Sequence, residues 1–351
     1  MRKPYLDNLR YGIVLSVIIY HVCYLFNTVG ITTNVAIPGI PALDVVEYLL
    51  YPWFMTALFV ISGICARYSL ERKTTGAFIR SRVRRHLIPS FAIIFLYGWT
   101  VGWVTGQYTD LWGGAEVPFG IKCIIYCLMG IGVLWYLQEL LLAEAILLLI
   151  RKLDKKERLL ALGAKSSMPV LCLLMFALWG SAQILNTPVV ECYRNGIYIF
   201  SFLVGYYVFS HDSVQEMLSK AVPVLLPLAA VLAAVYTITA WGDNYTAPAH
   251  LKAFLTNAYA WFATIAVLGC GKRWLDRETG FTRYMAKRSF GFYVLHYPLM
   301  VFAAYGMDQH LHLPVWSMYL LLPVLMALLL PPLVAVIKRI PVLRTLILGE
   351  P

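Results

Sequence analysis

The chemistry this chain can offer is concentrated in a few polar residues set within long apolar stretches. The N-terminal segment YLDNLRYGIVLSVIIYHVCYLF carries Asp7, Arg10 and His21. Arg10 and His21 are eleven residues apart, three helical turns, so in a helix their directions differ by only about 20°. Asp7 joins the same polar stripe, and a rise of about 1.5 Å per residue lifts His21 about 16 Å above Arg10. An imidazole at that depth can act as a general base. It can equally be a histidine bonded to a neighbouring helix, with Arg10 anchoring the helix end; spacing alone leaves both open.

The segment VLWYLQELLLAEAILLLI places Glu139 and Glu144 among leucines, with Glu139 twelve residues before Arg151, about 18 Å of helix. At that matching depth Glu139 could orient and stabilise the His21 imidazole, or be neutral or paired with a structural partner. Ser62-Gly63 lies close to the charged end of its stretch, where a glycine lets a backbone or a ligand approach. FIRSRVRRHLIPS then gathers Arg80, Arg82, Arg84 and Arg85. Guanidinium forks suit phosphate, and the same charges would serve membrane orientation or anionic lipid. His296, in KRSFGFYVLHYPLM, lies about 10 Å into its stretch beside Tyr293 and Tyr297. It is either a donor-site residue or a histidine packed in an aromatic cluster. His310 and His312 form an H-x-H pair with no third ligand in view, so no metal is expected there.

Composition dictates which helices carry these residues. The 351 residues are 60% hydrophobic and 13% charged, with a mean hydropathy of +0.70, against about 25% charged for a typical soluble domain. Disorder, collagen, coiled coil and a disulfide scaffold are excluded, and a soluble enzyme nearly so. A hydrocarbon core about 30 Å thick needs about 20 apolar residues of helix. Stretches of that kind occur at roughly 10–29, 45–67, 87–106, 132–150, 168–186, 195–210, 221–240, 253–270, 289–307 and 315–337. The stretch 118–131 reads as a half-helix or as the start of a long fourth span. The expected fold is therefore an all-α, polytopic bundle of about ten transmembrane helices, forming a single domain over 1–351 with no appended soluble domain. The 7 cysteines, Cys192 among them, make no zinc-type pattern and read as small core residues.

The net charge of +11 would suggest nucleic acid in a soluble protein; here its placement sets orientation instead, and no nucleic-acid partner is expected. With ten spans, all Lys and Arg residues except Lys122, Arg194 and Lys252 fall on one side, from Arg2 to Arg344. That side is the cytoplasm and holds both termini. The loops of the other side carry aromatics such as Trp112, Tyr193, Trp241 and Tyr245, which stack on sugars or form the ordinary interfacial belt.

The motifs, taken in order, resemble those of the acyltransferase 3 family of bacterial membrane proteins. YLDNLR…H, with Arg10 and His21 separated by ten residues, resembles that family's opening motif. LFVISGICARYSL resembles its FFxxSG segment, and FIRSRVRRHLIP its R-x-x-R motif, matched by Arg82 and Arg85. LWYLQELL resembles LWFLxxL, and SFGFYVLHYPL the late S-x-x-x-Y-x-x-H-x-P element. The matches run from about residue 5 to 300. One departure is His86 after Arg85, where many members have an apolar residue.

The resemblance implies an acyltransferase transferring groups other than amino-acyl groups, in the bacterial cytoplasmic membrane. It would move an acyl group, commonly acetyl, from cytoplasmic acyl-CoA to a hydroxyl of a carbohydrate or lipid-linked glycan. Carried onto this chain, His21 acts as general base or is transiently acylated, Arg10 and Asp7 order the donor end, and Arg82 and Arg85 hold CoA phosphates. Ser62 and His296 join the donor site; that Glu139 orients His21 rests on matching depth alone and not on the resemblance. Acetyl-CoA is the expected donor and no metal is required. Some members carry an extracytoplasmic esterase-like domain; here the spans suffice or a separate partner protein completes the transfer, and an oligomer is left open. The alternative is a proton-coupled secondary transporter, which intramembrane His and Glu also describe.

Overall fold

The computed structural model describes residues 3–186 and 194–351. Arg2, Cys192 and Tyr193, used above for orientation, core packing and the outer loops, lie outside the described residues. Those described are helical with no strand. The apolar helices are α1 (Pro4–Leu25), α2 (Pro41–Leu70, interrupted at 51–53), α3 (Thr75–Tyr108), α4 (Phe119–Met129) and α5 (Gly132–Leu153). They continue with α6 (Met168–Ser181), α7 (Asn195–Phe209), α8 (Asp212–Ala240), α9 (Phe254–Trp274), α10 (Ser289–Gln309) and α11 (Val315–Arg339). A short amphipathic α12 (Pro341–Leu348) follows.

Eight of these are long and apolar enough to cross a membrane: α1, α2, α3, α5, α8, α9, α10 and α11. The other two expected spans are shorter. α6 has 14 residues, about 21 Å of rise against a core of about 30 Å. Its apolar run leaves the helix after Ser181, where Gln183 and Asn186 interrupt it. α7, Asn195–Phe209, keeps the expected bounds of 195–210 to within one residue and is short for a span. The ambiguous stretch 118–131 is a half-helix, α4, with 11 residues and none of them buried. Membrane-facing surface is plain on α8 and α11, where Val224, Ile238, Leu320 and Leu328 stand exposed. In water such faces would be costly; in lipid they are solvated.

Chain contacts divide the molecule into two units. The first comprises Met1–Ile13, Tyr48–Ser81 and Glu139–Lys287. Here α2 and α7 touch backbone to backbone: a Cβ on Gly63 would run into the Phe202 carbonyl, and one on Gly205 into the Val60 carbonyl. Small residues let helices approach in this way where no hydrophobic drive holds them together. Beside the glycines, Phe59 and Tyr198 stack at 4.7 Å. Trp261 of α9 is fully buried and donates to Leu171 O of α6 at 2.8 Å. Asn8 fastens the start of α1 by donating to Leu275 O and Arg277 O at 2.6 and 2.9 Å.

The second unit comprises Val14–Glu47, Arg82–Gln138 and Arg288–Pro351. α3 is not regular: it passes through π-helical turns at Val83–Leu87 and Ile94–Gly98. Such turns shift a helix's register and often mark functional positions. α10 contains Pro298, which has no N–H to give the carbonyl four residues earlier. That carbonyl, Val294 O, is satisfied instead by the Tyr97 hydroxyl of α3 at 2.9 Å.

Candidate active site

The polar centre of the second unit is built from α1, α3, α10 and the loop after α1. His21 lies on α1 and is partly exposed. Its Nδ1 is 2.9 Å from Val17 O, one turn earlier, and 3.1 Å from Nε2 of His296 on α10. Among the described residues these are the hydrogen bonds of His21, both made inside its own unit, and Nε2 of His21 has no partner. His296 is fully buried. Its Nδ1 lies 2.6 Å from Tyr293 O and 3.2 Å from Phe292 O.

Aromatic rings enclose the pair. The His21 ring is 5.0 Å from that of His296 and 4.9 Å from that of Tyr297, with Tyr20 and Tyr24 at 5.1 and 5.8 Å. Tyr297 donates to Asn34 Oδ1 at 2.5 Å, and Asn34 donates to Thr105 Oγ1 at 2.9 Å. Thr105 in turn donates to Val101 O at 3.0 Å. Tyr293 donates to Val133 O at 2.7 Å. Among the rings that touch His21, those of Tyr297 and His296 are held by hydrogen bonds.

The arginine motif belongs to the same unit. Arg82 is half-buried at the entry to the first π-turn of α3, and Arg84 and Arg85 are exposed on it, followed by buried His86. The C-terminal end of α12 rests on this turn. Gly349 closes the helix at φ +61°, a left-handed conformation natural to glycine. A Cβ there would meet Arg84 O and Arg85 Cα. Lys338 and Glu350 pair at 2.9 Å and hold the tail.

The remaining predicted residues belong to the first unit. Arg10 is half-buried; it pairs with Asp7 at 3.3 Å and donates to Cys65 Sγ on α2 at 2.9 Å. Ser62 precedes Cys65 by about one turn of α2. Glu139 is buried and accepts from Asn195 Nδ2, at the start of α7, at 3.5 Å. The sequence left Glu139 either orienting His21 or paired with a structural partner, and Asn195 is such a partner; within its own unit His21 meets a second imidazole, that of His296. Counting residues in from helix ends put His21 and His296 at different depths, because it takes no account of where each helix begins or how it tilts, so their contact was not anticipated. Cys65, Asn34 and Thr105 were also missed. Asn34 sits in a loop and Thr105 within a long apolar helix, and neither has a spacing signal. Among the described residues no group of three or more His, Cys, Asp or Glu could hold a metal ion.

The described residues thus form an all-helical, membrane-type fold in which two imidazoles meet and an arginine pair lies at a π-turn of α3. The chain belongs to the acyltransferase domain family (Acyl_transf_3), whose model matches residues 3–341, nearly its full length. No curated protein and no solved structure matches it significantly.

Proposed function

We propose that this acyltransferase moves an acetyl or other short acyl group from cytoplasmic acyl-CoA to a hydroxyl of a carbohydrate or lipid-linked glycan of the bacterial cell envelope. The observation that carries this reading is the state of His21. Val17 O can only accept, so a proton on Nδ1 satisfies it, and the lone pair falls on Nε2, the nitrogen without a partner among the described residues. That nitrogen takes the proton of the acceptor hydroxyl as its oxygen attacks the thioester carbonyl. The C–S bond then breaks, and the CoA thiolate leaves with the proton from Nε2.

Arg82 and Arg85 bind the CoA phosphates, their charges fixed at any physiological pH. Arg10, with Asp7, and Ser62 order the donor end, and Glu139 keeps a supporting role. The charge asymmetry of the loops supports cytoplasmic termini and a cytoplasmic entrance for the donor. Each unit is made of three separate chain segments, which supports one catalytic domain spanning the chain.

The test is CoA release from acetyl-CoA by the purified protein in liposomes over a panel of sugar acceptors. Acceptor-dependent release is expected in the wild type. His21→Ala should lower kcat by about 10²-fold or more. The Arg82→Ala/Arg85→Ala variant should chiefly raise the KM for acetyl-CoA. A folded wild type that neither binds acetyl-CoA nor releases CoA would sink this reading and favour a carrier.

A further inference from the structure

We propose that His296 is the positioning residue of the reaction, fixing the tautomer of His21 and sharing its proton as charge develops. The proposal rests on the reading of His21 as general base. Two backbone carbonyls fix the His296 end of the pair. Tyr293 O and Phe292 O face Nδ1 of His296, and carbonyl oxygens only accept, so that nitrogen carries the proton. A neutral imidazole has one N–H, so Nε2 of His296 is a bare acceptor. It stands 3.1 Å from Nδ1 of His21, which also faces Val17 O. Nδ1 of His21 thus sits between two acceptors and must be the donor. The tautomers of both rings are set from the backbone, and the outermost nitrogen of the chain, Nε2 of His21, is left as the base.

During transfer the acceptor hydroxyl gives its proton to Nε2 of His21, making an imidazolium. The imidazolium N–H at Nδ1 strengthens its bond to Nε2 of His296, a charge-assisted hydrogen bond. Collapse of the tetrahedral intermediate breaks the C–S bond, the thiolate takes the Nε2 proton, and both rings return to neutral. A second histidine does here what a carboxylate does in an acid–histidine pair, without placing a fixed negative charge in the bilayer interior, where one is costly. This gives His296 a different task from donor binding.

Two variants separate the roles. In His296→Gln the amide oxygen reaches about where Nε2 stood and can accept from His21. His296→Leu fills the space without an acceptor. With the wild type active, His296→Leu is expected to lose about 10²-fold in kcat, with the KM of donor and acceptor unchanged. His296→Gln should recover at least about tenfold of that loss. Equal losses in the two variants, or a raised acyl-CoA KM with kcat intact, overturn the proposal. A measurement on the unmodified protein covers a variant that fails to fold: ¹⁵N-histidine spectra in nanodiscs should show Nδ1 protonated and Nε2 unprotonated in both rings. A resting His296 protonated at Nε2 overturns it as well. Absence of CoA release by the wild type would defeat the proposed function, whereas the spectra report on the imidazole pair in either case.

Discussion

Pro298 sits two residues after His296, and its missing N–H leaves Val294 O to be satisfied from another helix. The Tyr97 hydroxyl does so at 2.9 Å. Tyr97→Phe leaves a carbonyl of the helix that carries His296 without its donor, at a cost of about 1–3 kcal/mol. The expected outcome is a lower thermal midpoint in detergent and a reduced kcat, whereas an unchanged midpoint would mean the carbonyl finds another donor. Both histidines could be singled out from the sequence because polar residues are rare inside apolar stretches. Their pairing could not, since α1 and α10 lie far apart along the chain and nothing local to either records its neighbour. Glu139 shows the same limit: a carboxylate among leucines stands out in the sequence, whereas its contact with Asn195 does not.

α3 and α12 show how elements place the arginines. The first π-turn of α3 carries Arg84 and Arg85, and the glycine that ends α12 packs on its backbone. Gly349→Ala would impose about 1–2 kcal/mol of left-handed strain and push a methyl against Arg84 O and Arg85 Cα. The KM for acyl-CoA should rise while kcat stays near that of the wild type; a fall in kcat alone would show that α12 does not govern donor binding. Neither feature is visible beforehand. Val83–Leu87 has the same residue pattern whether wound as α or π, and the tail reads only as a short amphipathic segment. Helix existence was easier to read than helix length: α6 carries the apolar run of a span but stops at Ser181.

Across the whole molecule, hydropathy and charge do most of the specifying, because lipid demands long apolar helices and the cytoplasm attracts the basic loops. In a background without native cysteines, Lys73→Cys and Asp276→Cys should react with an impermeant maleimide only from the cytoplasmic side. Gly114→Cys and Asp243→Cys should react only from the other side, and any exchange between these sets would refute the orientation.

The first helix of the chain serves both units, up to Ile13 in one and from Val14 in the other, and each unit also draws on two later segments. No single cut in the gene could therefore yield the two units as separate polypeptides. On the ribosome, the half of α1 that bears His21 is made 275 residues before its partner His296. The nascent chain must hold that imidazole without its mate until those residues have been added.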